Sequence, residues 1–409
     1  MKKIILSAIA LGVVFGFVLL TFQTSSAEDK GGGRKIVVFS KALNEAAKDE
    51  LIARAGGVKL KNLDLIGAKS VWLPDRASTA KLAAHPDIAR VDDDVTVEAL
   101  LKEGFMKGSR ASQPVQLLPW GIDRVDAELV WPSGNRADPI KVGVIDTGIS
   151  NKHPDLLANV KGGVNTIDSR KSWNDDNGHG SHVAGIIAAL DNDIGVIGVG
   201  PSADLYAIKV LNASGSGFLS DVIEGIQWAV ANGMQVVNMS LGTSSDIQSF
   251  HDAVIAGYNA GVTLVAAAGN SGGAVSFPAA YQEVIAVSAT DKDNKLASFS
   301  SRGPEVDLAA PGVSIYSTYK GTSYATLSGT SMAAPHVAGS AALVLNTPTD
   351  TTVDPLTGAC VSVYDVDCDG RWNPAEVQKK LQDKAVDLGA VGFDHLFGWG
   401  LVNAFAAVQ

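Results

Sequence analysis

Three stretches of the chain carry the side chains that together can activate a nucleophile. The acid is Asp146, the imidazole is His179 and the hydroxyl is Ser331, and each lies among small residues, in Val142–Gly148, Asn177–Gly185 and Gly329–Gly339. A serine hydroxyl attacks a carbonyl when a neighbouring imidazole takes its proton, and a carboxylate orients that imidazole. This set of residue types therefore indicates acyl-transfer chemistry, provided that the fold brings the three together.

Each residue also has a simpler structural interpretation. Asp146 precedes Thr-Gly and could simply be the cap of a turn. Ser331 could simply be the N-cap of a helix. His179 and His182 are three residues apart and lack the glutamate of a helical zinc-hydrolase motif, so zinc is not favoured. We expect His182 to be a hydrogen-bonded interior residue. No single stretch decides the chemistry.

The elements around these residues predict an α/β fold with a doubly wound, mostly parallel sheet and helices on both faces. Continuous apolar runs typical of strands buried on both faces are Ile140–Asp146, Asp204–Leu211, Val236–Leu241, Val262–Ala268 and Val284–Ala289. Helical stretches alternate with them at His179–Leu190, Leu219–Asn232, Ser249–Ala260 and Ser331–Leu345. In such folds sites form at the carboxyl ends of the strands, where Asp146 stands.

Taken together, the three stretches resemble the signatures of the subtilisin-like serine proteases (subtilases), in the chain order Asp, His, Ser. The resemblance runs from about Gln116 to Gln409. It implies that Asp146 orients His179, that His179 is the general base and that Ser331 is the nucleophile. Asn270 ends Val265-Ala-Ala-Ala-Gly-Asn270 and matches the family's oxyanion asparagine. Without the resemblance, Asn270 is a turn residue after a strand.

The resemblance also implies where a polypeptide substrate would lie. Two segments would pair with its backbone, Ser214, Gly215, Ser216 and Gly217 on one side and Ser240, Leu241 and Gly242 on the other. The primary specificity pocket would be bordered by Ala267, Gly269 and Ser276. Main-chain pairing predicts broad selectivity, and the small residues predict a large apolar residue before the scissile bond.

The beginning of the chain is typical of a secretory signal. Lys2 and Lys3 precede an apolar run to Phe22, and small residues follow up to Ala27. Cleavage after Ala27 would leave a secreted protein with no stable membrane anchor. The alternative is an uncleaved anchor, because the apolar run is nearly long enough to span a bilayer. A flexible tract, Glu28–Gly33, follows.

Residues 35–100 predict a β-α-β-β-α-β order, typical of a small ferredoxin-like α+β domain. Pro86-Asp-Ile-Ala-Arg-Val-Asp-Asp-Asp94 resembles the family's inhibitor-like propeptide, so residues 28–100 are interpreted as an intramolecular inhibitor and folding aid. Self-cleavage would then fall near Leu100. Residues 101–115, including the aperiodic stretch Leu101–Gln113, are predicted as a linker before the catalytic domain at 116–409. Later trimming leaves the mature N-terminus open between 101 and 116.

Two calcium sites are predicted. Ala189–Val196 resembles the family's tight calcium loop. The ligands that the resemblance implies are the backbone carbonyl oxygens of Leu190, Ile194 and Val196 and side-chain oxygens of Gln116, Asp155 and Asn192. The alternative is a turn rich in Asn and Asp. The second site lies in an insertion near 348–376, with EF-hand spacing at Asp365, Asp367, Asp369, Arg371, Asn373 and Glu376. Here Asn373-Pro-Ala-Glu376 is also a helix capping box, and both interpretations can hold. No entering helix is expected over Leu356–Tyr364.

Composition excludes some classes of function. The 409 residues carry a formal charge of −10, which argues against a nucleic-acid partner. The two cysteines, Cys360 and Cys368, could close a short disulfide loop or remain free thiols. A catalytically silent scaffold is disfavoured because all four catalytic positions match. A serine esterase is disfavoured because Gly-x-Ser-x-Gly is absent around Ser331. We expect a monomeric enzyme acting on polypeptides.

Overall fold

The computed structural model describes residues 32–40, 43–107 and 113–409. The predicted signal, residues 1–27, lies outside the described residues, as do 108–112 of the predicted linker. Within the described ranges, no helix combines the length and apolarity that crossing a membrane requires.

An N-terminal module forms a four-stranded antiparallel sheet with two helices, as predicted. Its elements are β1 (Gly33–Phe39), α1 (Glu45–Arg54), β2 (Val58–Leu63), β3 (Ala68–Leu73), α2 (Arg76–Ala83) and β4 (Ile88–Asp93). The strand order β2-β3-β1-β4 is the ferredoxin-like order. Both helices begin at a side-chain cap, since Asn44 accepts from the Ala47 N–H at 2.9 Å and Asp75 from the Ser78 N–H at 2.7 Å. The first cap explains why α1 begins at Glu45.

The chain then leaves this sheet as two further strands, β5 (Thr96–Ala99) and β6 (Lys102–Lys107). The last strand of the predicted β-α-β-β-α-β order, expected to end at Leu100, is therefore broken after Asp93, because β5 pairs with strands that lie beyond residue 113. The predicted linker also differs, because Lys102–Lys107 is a strand whose partner lies far along the chain.

A second module, residues 113–409, contains the remaining helices and strands and is called the catalytic module because it includes the predicted Asp146, His179 and Ser331. In chain order they are α3 (Trp120–Arg124), β7 (Lys141–Asp146), β8 (Val160–Asn165), α4 (His179–Ala188), β9 (Asp204–Lys209), β10 (Ser216–Phe218), α5 (Leu219–Ala231), β11 (Val236–Met239), β12 (Leu241–Gly242), α6 (Gln248–Asn259), β13 (Thr263–Ala267), β14 (Val284–Thr290), β15 (Leu308–Pro311), β16 (Ile315–Thr318), β17 (Tyr324–Ser328), α7 (Thr330–Leu345), α8 (Pro374–Asp383) and α9 (Ala404–Ala407).

Seven of these strands form one parallel sheet, in the order β15-β14-β13-β11-β7-β9-β8. The predicted doubly wound α/β fold is confirmed. The strands predicted as continuous apolar runs are buried, and α4 and α7 pack in the same hydrophobic core. α7 carries the predicted nucleophile and is buried from Thr330 to Val344. The sheet edge strand β8 was not predicted, because its two glycines and half-exposed residues give no apolar run.

Candidate active site

The sheet topology brings the predicted acid and base together. Asp146 is the last residue of β7 and His179 is the first residue of α4. His179 Nδ1 lies 2.7 Å from Asp146 Oδ1 and 2.9 Å from Oδ2, and both side chains are fully buried. The carboxylate is therefore placed to fix the ring orientation and to stabilise a protonated imidazole.

Residues next to Asp146 hold its loop in place. The Thr147 N–H donates to Asp146 Oδ1 at 2.7 Å, and Thr147 Oγ1 donates to the buried Asp175 at 2.9 Å. Lys209 Nζ donates to the Thr147 carbonyl at 2.8 Å. Sequence reasoning missed these supports. Lys209 had a usable signal, because it is a charged residue ending an apolar strand that pairs with β7.

Ser331 is the second residue of α7, because the helix begins at Thr330, one residue before the predicted start. Its Oγ donates to the carbonyl oxygen of Leu100 at 2.6 Å and lies 2.9 Å from the Ser240 carbonyl oxygen. His179 Nε2 is buried and has no hydrogen-bond partner among the described residues. The structure thus forms the Asp146–His179 pair, while the serine hydroxyl faces a peptide carbonyl of its own chain.

The same carbonyl oxygen is also held by Asn270, whose Nδ2 donates to Leu100 O at 2.6 Å. Asn270 is oriented by Thr330, whose N–H and Oγ1 donate to its Oδ1 at 2.9 and 3.0 Å. A Cβ at Gly329 would lie 2.7 Å from Leu100 O, so this glycine leaves room for the oxygen. The Asn270 amide and the N-terminus of α7 together favour negative charge on that oxygen.

β5 lies between the two segments predicted to pair with substrate. It runs antiparallel to β10 on one side and to β12 on the other. The Ala99 N–H donates to Gly215 O at 2.9 Å, and the Leu100 N–H donates to Ser240 O at 3.2 Å. Pairing extends from Ser216 and Gly217 to Phe218, which was not predicted, and includes Leu241 and Gly242. In the described part of the chain, Ser214 lies in the preceding turn and forms no hydrogen bond with β5.

The Leu100 side chain shares a cleft with Ser276, one of the residues predicted to border the specificity pocket. A Cβ at Gly242 would lie 3.2 Å from Leu100 Cδ1 and 3.2 Å from Ser276 Cβ, so the leucine lies close to both. Gly269 has a positive φ of 116°, and a Cβ there would lie 2.6 Å from Ser276 Oγ. Ala267 is buried at the end of β13. The cleft, of about 380 Å³, also includes Thr243 and Ser244.

The first predicted calcium site has all six residues in one place. Asp155 Oδ1 accepts from Asn192 Nδ2 at 3.0 Å, Asp155 Oδ2 accepts from the Val196 N–H at 2.9 Å, and Gln116 Oε1 accepts from the Asn192 N–H at 2.5 Å. Burial raises the pKa of Asp155 to about 6. Leu190 and Ile194 belong to the same loop, whose N–H groups bond to Asp155 O and Asn192 Oδ1. In the described chain, Asp155 has no cationic side-chain partner, which fits a bound cation.

The second predicted site is built differently. Carboxylate oxygens of Asp365, Asp367 and Asp369 lie within 4.8 Å of one another. Asn373 and Glu376 form the capping box of α8, since Glu376 Oε2 accepts from the Asn373 N–H at 3.0 Å and Asn373 Oδ1 from the Glu376 N–H at 3.1 Å. Arg371 donates its N–H to Asp369. Residues 348–373 form turns with no entering helix, as expected, and a disulfide joins Cys360 to Cys368.

Comparison with known proteins agrees with this geometry. Residues 137–400 match the model of the subtilase family. Subtilisin Savinase of Lederbergia lenta is 47% identical over 295 residues, which cover 72% of this chain and 100% of the relative. An alkaline protease of Shouchella clausii is 44% identical over 329 residues, covering 80% of this chain and 76% of the relative. Subtilisin E of Bacillus subtilis is 37% identical over 420 residues, covering 100% and 99%. The chain belongs to the subtilase family and is a serine endopeptidase.

Proposed function

We propose that the protein is a secreted, self-processing endopeptidase that hydrolyses polypeptides with broad specificity and prefers a large apolar residue before the scissile bond. The observation that carries the proposal is the position of the Leu100–Leu101 peptide. The Leu100 carbonyl oxygen accepts from both Ser331 Oγ and Asn270 Nδ2, and the Leu100 side chain lies close to Gly242. A peptide held in this way is a substrate positioned for attack.

The proposed reaction follows from these contacts. Ser331 Oγ attacks the Leu100 carbonyl carbon while His179 Nε2 takes the hydroxyl proton, after the serine turns from its carbonyl acceptor. Asp146 stabilises the imidazolium, and Asn270 holds the oxyanion. The proton then passes to the nitrogen of Leu101, the peptide bond breaks, and water releases the acyl group by the reverse sequence.

Residues 28–100 are proposed to be the intramolecular inhibitor. Support comes from β5, which fills the substrate position between β10 and β12, and from the module that ends in it. Secretion is proposed from the signal-like residues 1–27. Main-chain pairing at β10 and β12 supports broad specificity, since it makes no demand on side chains.

The first test is self-processing of the full chain. We expect wild type to release a fragment ending at Leu100 and then to cleave casein, and Ser331→Ala to remain intact and inactive. Thr330→Ser, which keeps both donors to Asn270, is the matched control and should process normally. N-terminal sequencing and mass spectrometry identify the cut. Processing of Ser331→Ala at the wild-type rate would remove Ser331 as the nucleophile.

Calcium is proposed as a structural ion at the Asp155 loop and at Asp365, Asp367 and Asp369. Bound Ca²⁺ supplies positive charge that offsets the buried Asp155 carboxylate and clustered acids. At 100 times its Kd, one site adds about 2.7 kcal/mol to the free energy of unfolding. We expect Asp155→Asn, and separately Asp365→Ala with Asp367→Ala, each to reduce the rise in Tm between EDTA and calcium. Asp293→Ala, an exposed control, should keep the full rise; an unchanged rise in the double variant favours capping alone.

A further inference from the structure

Beyond Leu100 the chain lies on a surface that none of the predicted substrate residues includes. β6 (Lys102–Lys107) pairs antiparallel with β17 (Tyr324–Ser328), with Lys102 opposite Ser328 and Lys107 opposite Ala325. The other edge of β17 pairs with β16, so β6 occupies the free edge of a hairpin. A strand edge of this kind offers backbone N–H and C=O groups to any extended chain.

This edge is fixed relative to the catalytic base. Thr318 Oγ1, in β16, donates to the Ser181 carbonyl oxygen of α4 at 2.6 Å, and Ser317 Oγ donates to the His182 carbonyl oxygen at 2.9 Å. The buried His182 Nε2 lies 3.0 Å from the carbonyl oxygens of Ile315 and Ala325, one on each strand of the hairpin. His182 is thus the interior residue predicted, and it joins the hairpin to the helix that begins with His179.

We propose that the edge of β17 is a binding surface for the backbone of the substrate on the leaving-group side, reaching the seventh residue after the scissile bond. The proposal rests on the proposed function, because it takes Leu100–Leu101 as the cleaved bond. Counted from that bond, Lys102 is the second residue and Lys107 the seventh. The ligand class is an extended polypeptide, bound through its main chain as an added strand.

The register gives this surface two separate contact points. The paired positions Ser328 and Thr326 are two residues apart in β17. Their partners in β6, Lys102 and Met106, are four residues apart. The two additional residues form a bulge that includes Gly104. Pairing therefore occurs beside the catalytic serine, at the second residue after the bond, and again at the sixth and seventh. Substrates that end between these points gain nothing from the distal contact.

The test is a series of internally quenched peptides that share the residues up to leucine before the cleaved bond and carry three, five or seven residues after it. The enzyme is produced by self-processing of the full chain. It is also prepared from a chain with Met106→Pro and Lys107→Pro. Neighbouring N–H groups of a strand point to opposite sides, so one of these two residues faces β17, and the double substitution removes its N–H whichever it is. The chain with Met106→Ala and Lys107→Ala is the matched control.

We expect equal kcat/KM for three and five residues, and a rise on the order of tenfold at seven, as two further backbone hydrogen bonds would give. Proline at the sixth and seventh positions of the peptide should abolish the rise, and alanine there should keep it. A rise in either enzyme preparation supports the proposal. Equal rates for all lengths in both preparations, or a rise that the proline peptide keeps, would overturn it. Failure to cleave even the three-residue peptide would instead contradict the proposed function.

Discussion

Some buried charges have different kinds of partner in the two modules. In the N-terminal module, buried Lys69 contacts the carboxylates of Glu45 and Asp49, and buried Asp94 contacts Arg34. In the catalytic module, buried Asp175 and half-buried Asp307 accept hydrogen bonds from neutral donors. A large core can orient fixed dipoles around an acid, as at Asp175, although the catalytic module also contains an ion pair between Lys209 and Asp176.

The burial of apolar side chains also differs between the two modules. One face of the N-terminal sheet has a small core of its own under α1 and α2, which includes Val37, Ile52 and Leu82. The other face packs against α5 and α6, and places Ile36 and Leu63 in a hydrophobic cluster of the catalytic module. Part of the apolar surface of the N-terminal module is therefore buried against the catalytic module and not within its own core.

The largest expected effect is on the N-terminal module alone. Residues 32–100 produced without the catalytic module should be mostly unfolded, because one of the two faces of the N-terminal sheet loses the surface against which it packs. Circular dichroism should show structure only after the catalytic chain carrying Ser331→Ala is added. A cooperative thermal transition of the isolated segment would show instead that its own core suffices.

A smaller effect is expected at Asp94, whose carboxylate joins the two modules through Ser220. Asp94 accepts from Arg34 Nε, the Ser220 N–H and Ser220 Oγ, each at 2.8 Å. Asp94→Ala should weaken inhibition by the cleaved N-terminal module by about 2–5 kcal/mol, because it leaves those donors unpaired.

The exposed neighbour Asp93 provides the control, and Asp93→Ala should change the inhibition constant by less than about 1 kcal/mol. Inhibition constants against a chromogenic peptide measure both. Equal effects of the two substitutions would mean that burial of Asp94 does not set the affinity.

The smallest effect concerns pH and the catalytic module. Burial raises the pKa of Asp307 from 3.8 to about 6, against hydrogen bonds from the Ala286 N–H, Gln378 and Gln382. Between pH 4 and 6 the folded state keeps a proton that the unfolded state has lost. This carboxyl therefore lowers the free energy of unfolding as pH rises, by up to about 3 kcal/mol, with no further change above its folded pKa.

Asp307→Asn should accordingly gain stability relative to wild type as pH rises from 4 to 6. Urea unfolding at constant calcium measures the difference, with Asp293→Asn as an exposed control that should follow wild type. A constant difference between Asp307→Asn and wild type across this range would mean that folding does not raise the pKa of Asp307.

The sequence predicted the elements that carry the catalytic residues, because long apolar runs and helix starts are local signals. The hydrogen bonds that hold the catalytic residues in position could not be predicted. Thr330 orients Asn270, and Lys209 holds the loop after Asp146, through contacts between residues that the sheet topology alone brings together.

The strand β6 illustrates the same limit. Residues 102–107 have no period of their own, and their partner β17 begins at Tyr324. Their structure depends on a neighbour rather than on a local pattern. The second calcium motif shows the converse case, since one set of residues satisfied two local patterns. The capping box is formed, and calcium binding there stays a prediction.

The burial of α7 has a consequence for how the enzyme loses activity on heating. A helix that is buried from Thr330 to Val344 cannot fray on its own, so Ser331 is displaced only when the surrounding core opens. Inactivation should therefore follow a single cooperative transition that coincides with loss of the core. Residual activity after heating would then be proportional to the fraction of molecules that remain folded.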